Sequence, residues 1–131
     1  MTYDEWEREF PATLKTDLIW RVQAFRLALY AGDCAANDTV AAAGDARLAP
    51  IASQLCRAAG SISANIAEGY SRHSARDRVR YYEYAVCSAS ESKTWYVRLR
   101  RTLDRATLDD RIAVLQSISR LLHTMIRSSR R

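Results

Sequence analysis

The chain has 131 residues and a formal net charge of +5, with 48% hydrophobic and 27% charged side chains; this is the size of one ordinary domain with apolar content for a single core. That balance excludes wholesale disorder, and no run approaches the roughly 18 apolar residues of a membrane span. Four Gly and two Pro among many Ala, Leu and Arg favour helix over sheet.

Residues 3–10 predict a short amphipathic turn that Pro11 ends, since proline removes a donor and clashes inside a helix. Residues 1–15 are read as an N-terminal extension and 16–131 as the bundle domain. Thr16 or Asp17 is expected to cap the first long helix. Leu18, Val22, Phe25 and Leu29 form one stripe, and Trp20, Ala24, Leu27 and Ala31 a second beside it. The helix is expected to fray between Asp33 and Asp45, where Gly32, Asn37, Asp38 and Gly44 gather.

Pro50 fits the first turn of a second helix, whose apolar face runs Ile51, Leu55, Ala58, Ile62 and Ile66 up to Gly69, read as a C′ glycine. Gly60 costs about 1 kcal/mol inside a helix, and close helix approach is the expected reason for it. A third helix is predicted from about Arg76 to Leu103, with Tyr81, Ala85, Ser88, Ser92, Trp95, Leu99 and Leu103 on its core side. Thr107-x-x-Asp110 resembles a capping box for a fourth helix with a stripe of Leu108, Ile112, Leu115, Leu122 and Ile126. Arg127, Arg130 and Arg131 sit where the helix dipole favours cations. Four helices without a strand signal predict an all-α, antiparallel up-down-up-down four-helix bundle with a short N-terminal extension.

The charge is unevenly spread. Residues 1–45 carry four basic and eight acidic side chains, a net −4, and residues 46–131 carry sixteen and seven, a net +9. Such asymmetry suits an anionic partner, or one subunit's acidic end meeting another's basic side. Eighteen of the 20 basic residues are Arg, which favours bidentate phosphate contact; a codon bias would give the same ratio. The acidic start, Met1 to Glu9, lacks the layout of a secretory signal. Cys34, Cys56 and Cys87 form no CxxC pair and are read as reduced core thiols of a cytoplasmic protein.

Neither His73 nor His123 follows a Glu by three residues, so a bundle di-metal centre is not expected. Phosphate-loop, dinucleotide, zincin and hydrolase motifs are all missing from the sequence, and no metal or cofactor is expected. One segment resists a stability-only reading. Asn65 lies near the apolar stripe, where its amide needs partners, and Glu68 sits in a last turn that repels carboxylates. Arg57, Arg72 and Arg76 are the nearest cations for Glu68, and Glu91 is expected to join a polar network of Arg57, Asn65 and Glu68.

The run Ser61-Ile62-Ser63-Ala64-Asn65-Ile66-Ala67-Glu68-Gly69-Tyr70-Ser71-Arg72 resembles the "SIxxNIAEGxxR" signature of the small four-helix proteins encoded within intervening sequences of bacterial 23S rRNA genes. Gln54-Leu55-x-Arg57-Ala58, Ala85-x-x-Ser88-x-x-Glu91 and Asp17-Leu18-x-Trp20 are similar to that family too, so the likeness covers about residues 17–127. The chain departs from it at Cys87, where a small Gly is usual, in its acidic N-terminal extension and in a first loop that is not Lys-rich. The resemblance implies a cytoplasmic ring-like homo-oligomer, commonly a pentamer. It extends to the accessory protein of diversity-generating retroelements, which binds nucleic acid and a reverse transcriptase.

The leading expectation is a non-enzymatic oligomer that contacts RNA or DNA, or a ribonucleoprotein or nucleic-acid enzyme, through phosphate. Arg72, Arg76, Arg80, Arg98, Arg101 and Arg105 would supply the contacts. The alternatives are a solvated arginine face on a protein–protein scaffold, or an enzyme whose cleft is lined by Arg57, Asn65, Glu68 and Glu91. Tyr81, Tyr82 and Tyr84 are assigned to the core or a subunit interface. Trp20, Leu27, Leu121 and Met125, beyond one bundle stripe, suggest self-association.

Overall fold

The computed structural model describes residues 1–131 and contains helices and turns but no strand. A short helix α1 (Tyr3–Glu9) opens on a capping box between Thr2 and Glu5. Two 3₁₀ turns, Ala12–Thr16 and Leu18–Arg21, lead into α2 (Gln23–Asp38). A single-turn α3 (Val40–Ala43) precedes α4 (Ala49–Ser71), and α5 (Ala75–Arg98) runs through a 3₁₀ turn at Arg100–Thr102 into α6 (Arg105–Ser129). No helix is long and apolar enough to cross a membrane.

Four long helices pack in a closed cycle: α2 on α4, α4 on α5, α5 on α6, and α6 back on α2. Contacts set neighbouring helices antiparallel: on the α2–α4 side Thr39 lies 3.3 Å from Cys56 at one end, and Val22 and Tyr70 line one hollow at the other. Ser61 bonds Ser88 while Gly69 abuts Tyr81 and Tyr82. Glu83 meets Arg130. Asp38 meets Arg111 at one end of the α2–α6 seam, and Gln23 and Leu27 meet Leu121 and Thr124 at the other. The core holds Ala24, Ala28, Leu55, Ile62, Ile66, Ala85, Ala89, Leu115, Ile118 and Leu122. Small residues on α2 and α5 allow those helices to sit close to their neighbours.

The structure corrects the expected boundaries. The first long helix begins at Gln23, with uncapped Val22 before it, because residues 12–21 turn twice and leave Leu18 exposed. The third ends at Arg98, so Leu103, Arg101 and Arg105 lie beyond it. Its buried face is Val79, Tyr82, Ala85, Ala89, Ser92 and Tyr96, about one residue round from the predicted face. The last helix is capped by Asp104, whose carboxylate accepts from the Thr107 N–H at 2.7 Å; Thr107 is not the cap. The N-terminal residues dock on the bundle. Trp6 is buried among Tyr3, Phe10, Trp20 and Tyr30, and its indole donates to Asp33 at 2.7 Å. Trp20 is therefore covered by its own chain. Only Cys34 is a core thiol, and burial pushes it above the usual range; Cys56 and Cys87 are exposed.

The glycines exchange the roles the sequence suggested. Gly60 is exposed, with open space where a Cβ would stand, so helix packing does not require it. Gly69 keeps negative φ inside α4, and an added Cβ would lie 2.8 Å from Tyr82 Cε1 and 3.1 Å from Tyr81 Cβ. Gly60→Ala is expected to raise stability by up to about 1 kcal/mol, and Gly69→Ala to lower it by roughly 1–3 kcal/mol through overpacking. Urea unfolding of the two variants checks both signs.

One buried ion pair joins three helices at the end formed by residues 99–104. Arg111 of α6 donates to Asp38 of α2 through Nε at 2.7 Å and Nη2 at 3.3 Å, and Tyr96 of α5 donates its hydroxyl to the same carboxylate at 2.7 Å. Both ion-pair side chains are close to nine-tenths buried. Burial opposes the Arg111 charge, but the hydrogen bond and attraction from Asp38 outweigh it and hold the guanidinium protonated. Burial and the Asp38 contact push the Tyr96 hydroxyl well above the ordinary phenol range. Removing one partner strands a buried charge, so Asp38→Leu or Arg111→Met alone is expected to cost about 3–5 kcal/mol. The double variant should recover most of that loss, and a thermal-unfolding double-mutant cycle measures it.

Candidate nucleic-acid interface

The six arginines singled out in the sequence do not form one face. Arg72, Arg76 and Arg80 lie at the bundle end formed by the 72–74 turn, and Arg98, Arg101 and Arg105 at the opposite end. On α5 the nearest members of the two groups, Arg80 and Arg98, stand about 27 Å apart along the axis at 1.5 Å per residue. Glu91 also lies between them, where it accepts from the Trp95 indole at 3.1 Å.

The antiparallel topology brings more cations to the 72–74 end. The C-terminus of α6 carries Arg127, Arg130 and Arg131, and Arg21 precedes α2. With Arg72, Arg76, Arg78 and Arg80 this gathers eight guanidiniums, with the carboxylates of Glu68, Asp77 and Glu83 among them. Those carboxylates are each engaged: Glu68 with Arg72 at 2.5 Å, Asp77 with Arg80 at 3.6 Å, and Glu83 with Arg130 at 2.9 Å. Arg78 is a structural clamp, donating to the carbonyls of Arg72 and His73 at 3.2 and 2.9 Å. Arg21, Arg76, Arg127 and Arg131 are exposed and have no carboxylate within 4.0 Å.

Aromatic rings are interleaved with these cations. Arg72 and Arg80 lie 5.0 and 5.2 Å from the centroid of half-buried Tyr81. Arg72 also donates to the Tyr81 hydroxyl at 3.2 Å, and its buried Nε has no partner. Tyr82 is core, as expected, but Tyr84 is 49% exposed and meets Tyr81 edge-on at 5.7 Å. At the other end Arg98 and Arg101 line a cleft of about 470 Å³ together with Asp45, Arg47, Arg100 and Thr102. Arg105 there is paired with Asp109 at 2.9 Å.

The expected polar network of Arg57, Asn65, Glu68 and Glu91 does not assemble. Arg57 reaches only Gln54, at 3.5 Å, and Asn65 donates to the Ser61 carbonyl one turn back at 2.9 Å. Of the cations considered for Glu68, Arg72 is the one bound. The four residues therefore do not line a shared catalytic cleft. No group of three or more His, Cys, Asp or Glu is placed to hold a metal ion. In the sequence Arg127, Arg130 and Arg131 answer only to the dipole of α6. The parity of four antiparallel helices, which sets the end of α6 beside the start of α5, is the signal that finds them.

Along the α2–α6 seam runs a groove of two hollows, of about 480 and 400 Å³, that share Gln23, Leu121 and Thr124. Leu27 and Val114 line the first, and Tyr70, Tyr82 and Met125 line the second.

The chain is similar to known proteins in fold and in sequence pattern. A crystal structure of a protein of unknown function from the S23 ribosomal protein family of Bacteroides thetaiotaomicron superimposes with a TM-score of 0.73. It is 23% identical, and the match covers 79% of this chain and 97% of that one, a likeness of fold. No curated protein matches. The pattern of the 23S rRNA-intervening sequence proteins matches residues 39–124, from the turn after α2 to the last turns of α6, and the chain belongs to that family.

Proposed function

We propose that this chain is a non-enzymatic, self-associating protein that contacts RNA through the phosphate backbone, using the arginine-rich end at the 72–74 turn. The observation that carries this reading is exposed Arg76 in the first turn of α5, with no carboxylate within 4.0 Å and no hydrogen-bond partner for its guanidinium. A helix N-terminus is the positive end of the macrodipole and disfavours cations. Arg78 clamps the 72–74 turn and Arg80 meets Asp77, but helix stability gives no reason for Arg76, whereas an anionic partner does. Arg127 and Arg131 add unpaired charge from α6, where the dipole favours them. Arg98 and Arg101, with Arg47 and Arg100, offer a second basic cleft for the same partner.

The salt dependence of RNA binding tests this. Each phosphate neutralised on a single strand contributes about −0.7 to the slope of log K against log salt. Arg76→Ala and Arg127→Ala should each make the slope shallower by roughly that amount. Failure of the intact protein to bind single-stranded or structured RNA near physiological salt would overturn the reading and leave a scaffold whose partner is a protein.

Self-association rests on the α2–α6 groove, which leaves Leu27, Val114, Leu121 and Met125 half-covered along one side. Exposed Ala113 lines it, so Ala113→Glu sets a charge in the groove without entering the core. Light scattering should give a multiple of 14.9 kDa for the wild type and a smaller assembly for the variant. A wild-type monomer at micromolar concentration would refute self-association.

A further inference from the structure

Two tyrosines are exposed: Tyr70 lines the α2–α6 groove, and Tyr84 stands outside any hollow described above. The core takes Tyr30, Tyr82 and Tyr96, and the α1 cluster takes Tyr3. Tyr81 is held by two guanidiniums and by a hydrogen bond from Arg72. Tyr84 is half exposed, has no guanidinium over its ring and no partner for its hydroxyl, and makes one ring contact, at 90° to Tyr81. A half-exposed aromatic ring forgoes much of its own burial energy, and Arg76, Arg80 and Tyr84 fall one above another at i, i+4, i+8 on α5. Successive members are about 6 Å apart along the axis. Arg76 is unpaired, and Arg80 is held by Asp77 only at 3.6 Å.

Across the α4–α5 seam stands a residue equally free of a structural explanation. The Ser61–Ser88 hydrogen bond and the Gly69–Tyr81 contact fix the register, and this register sets Asn65 level with Tyr84. Asn65 is half-buried and spends one amide N–H on the Ser61 carbonyl; its Oδ1 has no protein donor. An amide presenting both a donor and an acceptor is the group that reads the edge of a base.

We propose that Tyr84 is a stacking platform for an unpaired base of single-stranded RNA, with Asn65 at the base edge and Arg76 and Arg80 on the flanking phosphates. The proposal rests on the RNA reading above and narrows it: single strands bind at this ridge by stacking as well as by charge. Stacking is tolerant of sequence because every base has a π face. Duplex RNA, whose bases are already stacked on each other, gains nothing from Tyr84.

The test compares wild-type protein with Tyr84→Ala, Tyr84→Phe and Arg76→Ala. The probes are a short single-stranded RNA carrying 2-aminopurine and the same sequence closed into a duplex. Tyr84→Ala should weaken single-strand binding roughly 5- to 150-fold, leave duplex binding unchanged and abolish the 2-aminopurine quenching. It should also leave the salt slope intact, whereas Arg76→Ala should lower that slope. Tyr84→Phe should retain wild-type affinity. Tyr84 lies outside the core, so circular dichroism should show both variants folded. Equal single-strand affinity for wild type and Tyr84→Ala would overturn the stacking proposal while leaving phosphate binding standing. Absence of any RNA binding by the wild type would remove both.

Discussion

The fold turns on a carboxylate placed where helix electrostatics oppose it. Asp38 closes α2, at the negative end of that helix's dipole, and in isolation would destabilise it. Arg111 and Tyr96 reverse the sign by donating three hydrogen bonds from α6 and α5. The cluster thereby fastens α2 to both helices of the following hairpin. This matters because the α2–α6 seam is otherwise loosely filled, with a groove along it. Apolar packing is non-directional. The directional contact at one end sets its height, and the docked N-terminal segment, with Trp6 against Tyr30 and bound to Asp33, braces its outer side.

The same arrangement makes the two ends of the bundle electrically different. The 99–104 end holds Asp38, Asp45, Asp104, Asp109 and Asp110. All but Asp104 face an arginine, and Asp104 caps α6. The carboxylates that would neutralise the 72–74 end are thus placed far from it. There Glu68, Asp77 and Glu83 are each engaged by one arginine, and four exposed arginines have no carboxylate within 4.0 Å. The 99–104 end also carries Arg98, Arg100 and Arg101 without a carboxylate within 4.0 Å, so both ends are basic. The 72–74 end is the more so because antiparallel packing adds the tail of α6 to the start of α5.

Helix periodicity made the bundle legible, along with most of its core: Leu55, Ile62, Ile66, Ala85, Leu115 and Leu122 all fall on predicted stripes and are buried. Boundaries were harder. Residues 16–22 carry an apolar pattern fit for a helix, yet Trp20 is drawn under Trp6 and Phe10, and the chain turns in 3₁₀ form to allow it. Periodicity does not register an aromatic contact fourteen residues away. Asp38, like Glu68, is a carboxylate in a last helical turn. Its partners lie 58 and 73 residues further on, beyond any local search. The arginines of the site were visible as residues but not as a group, because grouping them requires knowing which helix ends meet.

The groove and the basic end occupy different parts of the molecule, one along a side and the other at a tip. Copies that associate side by side through the α2–α6 groove, with their helices running alike about a closed axis, would carry every 72–74 end on the same rim. Such a rim multiplies the phosphate contacts available to one RNA strand, and linked weak sites gain avidity with no new contact at any of them. It also gives the loosely filled seam a purpose: a fully packed α2–α6 interface would stabilise the monomer and leave no apolar surface for a neighbour. The buried Asp38–Arg111 pair is compatible with that role because its hydrogen bonds hold the seam at a point without filling the groove. In the proposed assembly the α2–α6 groove would join the copies and the 72–74 ends would meet the RNA.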